Sequence, residues 1–395
     1  MNPDASKQKY ENEEIRFYRE NNIAPSINEQ EDYACFLEKR KKLYRQLGIP
    51  LLCLENKDVI EFGASCGENS LPLVTGFAGA VKGIRHIDIV EPNESGRNAI
   101  QKLFTQNDIS SEYYTLYADT LESFSSEKKY DFIIAEQFLQ LCTNWKECLL
   151  LLKNFAKPNS IIIVTCADTI GMYIEVMKRY VAQCMVKDIR GLDGKIEKLV
   201  ELFEEYLNAL KGMNKTHKDY VADQFFCGLV QNGAQMNMLD AINVFYEDFD
   251  VLGASQNIFT DYSWYKDLNY NYISDYKKQY LQKRHMFMFA GEAEETFRSI
   301  EENEVLAKAI ERAIEFELKC EQKQNVLDIG KWDEIILSVT KAADNKKMTQ
   351  FNLEFLDALK KINNNQVIEL SKYPVLAGSF GKTSQYLSFV KKAKV

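Results

Sequence analysis

Between residues 57 and 168 the chain repeats one rhythm: a short apolar run, a turn, an amphipathic stretch, and another run. Asp58-Val59-Ile60-Glu61-Phe62 predicts a first strand, His86-Ile87-Asp88-Ile89-Val90 a second and Tyr113 to Tyr117 a third. Tyr130 to Ala135 predicts a fourth and Ser160 to Thr165 a fifth. Helices are expected from about Asn69, over Ser95 to Gln106, and around Trp145 to Phe155. Short apolar strands alternating with helices describe a parallel sheet covered on both faces.

The flanking regions have a longer period. A helix is predicted from about Glu29 to Gln46, with Tyr33, Phe36, Leu37, Tyr44 and Leu47 as its apolar stripe and Gly48 and Pro50 as its stop. After the fifth strand, residues 169–248 read as helical, with an amphipathic stretch from Lys195 to Lys211. This is an insertion expected over the active edge of the sheet. Phe249 to Gly253 predicts a sixth strand and His285 to Phe289 a seventh. Residues 292–363 return to a charged, helical texture, and the tail from Val367 is mixed. The expectation is an α/β fold with a Rossmann-like, seven-stranded, mostly parallel sheet. It divides into an N-terminal helical cap (1–50), the sheet domain (51–290, with the insertion at 169–248) and a helical C-terminal extension (291–395).

Composition narrows the class. Apolar residues make up 46% of the 395 and charged residues 27%, as in ordinary globular proteins. Residues 1–20 have no apolar signal core, and no apolar run reaches the roughly 20 residues of a membrane span. The nine cysteines have no paired spacing, which fits reduced thiols in the cytoplasm. With no C-x-x-C and three histidines, a metal site is not expected. The net charge of −9 argues against general affinity for nucleic acid. The basic stretch from Lys277 to Arg284 reads as a solvated helix face. The oligomeric state is open.

The chemistry concentrates at the predicted strand ends. Glu61 leads into Gly63-Ala64-Ser65-Cys66-Gly67, where glycines let the backbone turn and approach a ligand. The G-x-x-x-G spacing is neither the dinucleotide fingerprint nor the P-loop. Glu91, followed by Pro92, ends the second strand, where a carboxylate can accept from a ribose diol. Asp119 and Thr120 follow the third strand, and Glu136-Gln137-Phe138 the fourth. In open parallel sheets, ligands sit outside these carboxyl ends. Four polar strand ends together point to one nucleotide-like ligand.

These residues resemble the motifs of class I S-adenosylmethionine-dependent methyltransferases. Glu61 to Gly67 and Val90 to Asn93 match the first two motifs, and Asp119 and Tyr130 to Phe138 the next two. The resemblance is specific over about 57–168 and looser to about 290. It implies S-adenosylmethionine as cofactor, with Glu61 ordering the methionine amino group, Glu91 holding the ribose and Asp119 contacting adenine. It also implies a final antiparallel strand. More loosely, Leu43 to Pro50, Thr165 to Asp168, Asp261 to Asp267 and Phe380 to Tyr386 resemble large uncharacterised methyltransferases encoded among bacterial surface-polysaccharide genes.

The expected reaction moves a methyl group to a small-molecule or saccharide acceptor, at oxygen. An alcohol needs a base to take its proton. His217 is the first candidate, Asp219 the second, with Asp223 nearby and Asp261 in a later cluster with Trp264, Tyr265 and Lys266. The ring of Trp264 or Tyr265 could stack on a sugar face or plug the core. Gln385 and Tyr386 are weaker candidates. The alternatives are a nucleic-acid or protein methyltransferase, and a non-catalytic nucleotide-binding interaction module.

Overall fold

A computed structural model describes residues 13–21, 30–210, 216–227, 235–260, 264–267, 272–291, 297–322 and 328–393. The strands are β1 (Asp58–Phe62), β2 (His86–Val90), β3 (Tyr114–Tyr117), β4 (Tyr130–Ala135), β5 (Ala156–Cys166), β6 (Phe249–Ala254) and β7 (Gln385–Lys391). The principal helices before β6 are α1 (Glu13–Glu20), α2 (Gln30–Gln46), α3 (Ser70–Val74), α4 (Glu94–Gln106), α5 (Trp145–Asn154), α6 (Thr169–Met185), α7 (Leu192–Ala209), α8 (His217–Phe225) and α9 (Met238–Phe245). Between β6 and β7 lie α10 (Tyr272–Lys283), α11 (Ile300–Gln322), α12 (Ile329–Ala343), α13 (Lys346–Asn363) and α14 (Pro374–Gly378).

The seven strands form one sheet in the order β3-β2-β1-β4-β5-β7-β6. The first five are parallel, and β7 runs antiparallel to both of its neighbours. Every residue of β1 is buried, which explains its unbroken apolar texture. Successive side chains go to opposite faces. Val59, Ile87, Ile89 and Ile134 join a core with Leu37 and Tyr44 of α2, Leu47 just after it, and Ile100 and Phe104 of α4. Ile60, Phe62, Ile133 and Ile162 join the other, with Leu149 and Leu152 of α5 and Ile242 and Phe245 of α9.

The seventh strand is not where the pattern placed it. His285 to Phe289 forms a 3-10 turn over Arg284–Phe287 that follows directly on α10. Its apolar run arises because Phe287 is buried on the turn and Phe289 just after it; a short apolar run does not distinguish strand from buried turn. The sheet is instead closed by β7, inside the expected C-terminal extension. Tyr386, Ser388 and Lys391 interrupt its apolar residues.

A third core belongs to the helices. It joins residues of α6, α7 and α8 with residues of α11, α12, α13 and α14, around Trp332. The Trp332 ring lies 4.9 Å from Phe316, 5.1 Å from Phe355 and 5.3 Å from Tyr180, centroid to centroid. Helix α6 is buried on all sides from Thr169 to Ala182, as expected of a helix enclosed by others. It leaves the carboxyl end of β5, so the helical body rises from the edge that carries the polar strand ends. No described helix is long and apolar enough to cross a membrane.

Candidate functional site

The site begins at the carboxyl end of β1. The Glu61 side chain is 1% exposed and accepts a hydrogen bond from the Ser70 hydroxyl at the start of α3. Burial raises its pKa to about 7, the Ser70 bond opposes this, and Glu136 adds to the rise. The backbone then turns through Gly63 and Gly67, at φ +70° and +83°. A Cβ on Gly63 would lie 2.8 Å from the Phe138 ring, so side chain and positive φ both demand glycine there.

Glu91, at the end of β2, fastens this turn to its neighbour. The Ser65 N–H donates to one oxygen at 2.8 Å and the Asn93 N–H to the other at 2.9 Å. The close approach depends on Gly96 in α4, where a Cβ would lie 2.7 Å from the Ser65 carbonyl oxygen. Burial pushes Glu91 up to about 7, and the two backbone donors oppose it. Each carboxylate oxygen has further acceptor capacity, so holding the loop does not prevent it from accepting from a diol. Beyond β3, Asp119 and Thr120 are half-buried in a turn organised by Ser123, whose Oγ accepts from the Thr120 N–H at 2.9 Å.

After β4, Glu136 is 3% exposed and takes a two-pronged ion pair from Arg40 of α2, at 2.7 and 3.0 Å. Asn69 adds a donor at 3.3 Å. Burial works against the Arg40 cation, but the carboxylate more than offsets it and the Arg40 pKa is raised. Gln137, at φ +68°, donates to the Tyr386 hydroxyl and accepts from Ser384 at 3.0 Å. Tyr386 is held up to about 12 by burial and by Glu136. Cofactor-cleft candidates from β1, β2 and β4 thus meet, joined by α2 and the entrance to β7. Arg40 had no assigned role, and Tyr386 was only a weaker candidate. The signal for Arg40 was its register: it interrupts the stripe of Tyr33, Leu37, Tyr44 and Leu47 on the buried side of α2.

His217 and Asp219, two of the expected catalytic residues, lie in the helical body. His217 opens α8, which packs on α6 and α7 in the helical body. Asp219 accepts from the Thr216 hydroxyl at 2.6 Å, and its N–H donates to the same hydroxyl at 3.1 Å, closing the first turn of α8. Asp223 accepts from Tyr18 of α1. No described hydrogen bond or ion pair joins His217, Asp219 or Asp223 to Glu61, Glu91 or Glu136. Asp261 lies outside the described residues. Trp264 and Tyr265 are 59% and 69% exposed, so neither plugs the core. Lys266 Nζ stands 4.7 Å over the Trp264 ring. Arg284, from the basic stretch, is not a solvated cation: it pairs at 3.0 Å with Asp168, which is fully buried and caps α6 through the Ile170 N–H at 2.7 Å.

No protein-family model matches the chain, and no curated protein matches it. Solved structures with a similar arrangement include PKMT2 from Rickettsia typhi, at 16% identity over 65% of this chain and 49% of that one, TM-score 0.42. The CcbJ methyltransferase from Streptomyces caelestis is 15% identical over 36% of this chain and 51% of its own, TM-score 0.27. An S-adenosylmethionine-dependent methyltransferase from Clostridium acetobutylicum is 10% identical over 36% and 52%, TM-score 0.27. The chain thus spans about half the length of these structures.

Proposed function

We propose that this protein transfers a methyl group from S-adenosylmethionine to a small-molecule or saccharide acceptor, at oxygen, in the cytoplasm. The observation that carries the reading is the pair of buried carboxylates, Glu61 and Glu91, at the ends of adjacent parallel strands, with the glycine turn between them held by Glu91 itself. The residues fit the cofactor. Glu61, whose one neutral donor is Ser70, suits an ammonium group; Glu91 suits a ribose diol; Asp119 suits an adenine amine. Arg40, beside Glu136, is a cation within reach of the same cleft.

The bound sulfonium supplies an electrophilic methyl group, so the protein mainly orients the acceptor in line with it. The helices that follow β5 and β6 would wall the acceptor off from water. His217 is the proposed base: it would take the acceptor's hydroxyl proton as the oxygen attacks, with Asp219 and Asp261 as further candidates. Thermal unfolding with S-adenosylmethionine, its demethylated product and NAD tests the cofactor. The first two should stabilise the fold, by about 2.7 kcal/mol at 100 times Kd. A shift with NAD alone overturns the assignment.

A further inference from the structure

Glu61, Glu91 and Glu136, which the proposed cofactor would touch, are covered by the protein itself, at 1%, 4% and 3% exposed. Side chains so covered meet a ligand only after a covering element moves. Helix α2 covers Glu136 through the fork of Arg40. Asn69, which ends the segment carrying the glycine turn, donates to the same carboxylate at 3.3 Å. The pair therefore ties α2 to the turn that Glu91 fastens from the other side.

Helix α2 is held unevenly. Just past its carboxyl end the backbone is wedged against the sheet. The Ser388 hydroxyl of β7 donates to the Leu47 carbonyl oxygen at 2.6 Å, and a Cβ on Gly253 of β6 would lie 2.4 Å from the Gln46 carbonyl oxygen. Gly48, at φ +68°, turns the chain there. Earlier in the helix the grip is light: of residues 33–43, only Leu37 and Arg40 are buried. On the same face of the sheet, α4 is held by Ile100, Leu103 and Phe104, all buried.

We propose that α2 is a hinged cover, which swings about Leu47 and Gly48, parts Arg40 from Glu136 and so admits S-adenosylmethionine to the cleft. Arg40 stands eight residues from Gly48, about 12 Å along the helix axis at 1.5 Å per residue. Parting the pair differs from deleting one member. Both charges regain water on opening, whereas a deletion strands the survivor in a buried place. Two buried atoms favour the motion. Arg40 Nε and the Tyr44 hydroxyl have no hydrogen-bond partner among the described residues, and both reach water once α2 lifts. Exposure of Leu37 opposes it and returns the helix to its seat. Movable covers are drawn from the least tightly held elements of a fold, and α2 fits that description where α4 does not. The proposal concerns entry to the same cleft and rests on the methyltransferase reading for the ligand; the motion is testable without it.

Hydrogen exchange on the full chain, with no ligand added, tests the motion. Amides of residues 34–43 should exchange about tenfold or more faster than those of residues 98–106 in α4. Arg40→Lys keeps a cation beside Glu136 but loses the fork. It should speed α2 exchange by about a further tenfold and leave α4 unchanged. Stopped-flow binding then tests entry. S-adenosylmethionine should associate about tenfold faster with Arg40→Lys, whether opening limits the rate or precedes it. Leu37→Val, which trims the other buried residue of the grip and leaves the charges in place, should act in the same direction by a smaller factor, and serves if Arg40→Lys does not fold. The proposal is overturned if α2 exchanges as slowly as α4, or if the variants and the wild type take up the cofactor at the same rate. Cofactor binding with either result removes the cover and spares the methyltransferase reading. Fast α2 exchange with no binding of S-adenosylmethionine removes that reading and leaves the hinged cover standing over a cleft for another ligand.

Discussion

Two buried charge clusters, one in the cleft and one in the helical body, are built in opposite ways. In the cleft, Arg40 meets Glu136 through two short bonds, from elements far apart in the chain. In the body, Arg179 of α6 gives its fork to Glu321, at 2.6 and 3.1 Å. The fully buried Glu317 is left 3.8 Å from the same guanidinium, and neither of its oxygens has a hydrogen bond. Burial lifts the Glu317 pKa to about 8, with Glu321 adding to the rise and Arg179 opposing it. A matched pair ties an element to a site, whereas an unmatched carboxylate costs stability where it sits.

Breaking the matched pair should have the largest effect. Arg40→Ala strands Glu136 and should cost about 3–5 kcal/mol in chemical denaturation. The double variant Arg40→Ala/Glu136→Gln should recover part of that loss; equal losses would mean the two residues act independently. Removing the unmatched group should do the opposite. Glu317→Met should stabilise by about 1–4 kcal/mol at pH 8, since Arg179 keeps Glu321. The sign follows from linkage. A raised acid pKa gives stability that is present below the unfolded value of 4.5 and is lost as pH rises through about 8. The wild type should therefore weaken across that window, and the gain from Glu317→Met should grow across it; a pH-independent gain would count against a buried neutral Glu317.

Smaller effects separate ligand groups from caps. Glu91→Ala should weaken S-adenosylmethionine binding by about 1.5–3 kcal/mol in calorimetry, and an unchanged affinity would reduce Glu91 to its role of fastening the Ser65 turn. Thr216→Ala removes the cap of α8 and should cost about 1 kcal/mol of stability. Cofactor affinity should stay constant, because no described bond links α8 to the cleft.

The same division governs what the sequence revealed. Strands β1, β2 and β4 were legible because strands buried on both faces must be almost wholly apolar, and their polar ends stand out. Glu61, Glu91 and Glu136 stand at or just beyond those ends. Arg40 was passed over because a charge on an amphipathic helix ordinarily faces water, and its partner lies in a distant loop. Strand β7 was missed because Gln385, Tyr386, Ser388 and Lys391 leave it no long apolar run, while the turn at Arg284–Phe287 borrowed the look of a strand. Lys178 and Glu175 sit on a helix buried all round, where periodicity no longer marks an inner and an outer face.

The place of β7 between β5 and β6 has a consequence for how the molecule is made. Among the described residues, strand β6 pairs with β7 alone. As the chain leaves the ribosome, β6 emerges early and then waits through α10 to α14 before residues 385–391 arrive. Until then both β5 and β6 present unpaired edges, the form of nascent chain most prone to pair with the wrong neighbour. The helical body, whose contacts among α11 to α14 are close in sequence, can assemble during that wait. The last step of folding is then the insertion of one strand into a slot already flanked on both sides, and that same step brings Tyr386 to Gln137 and completes the cleft.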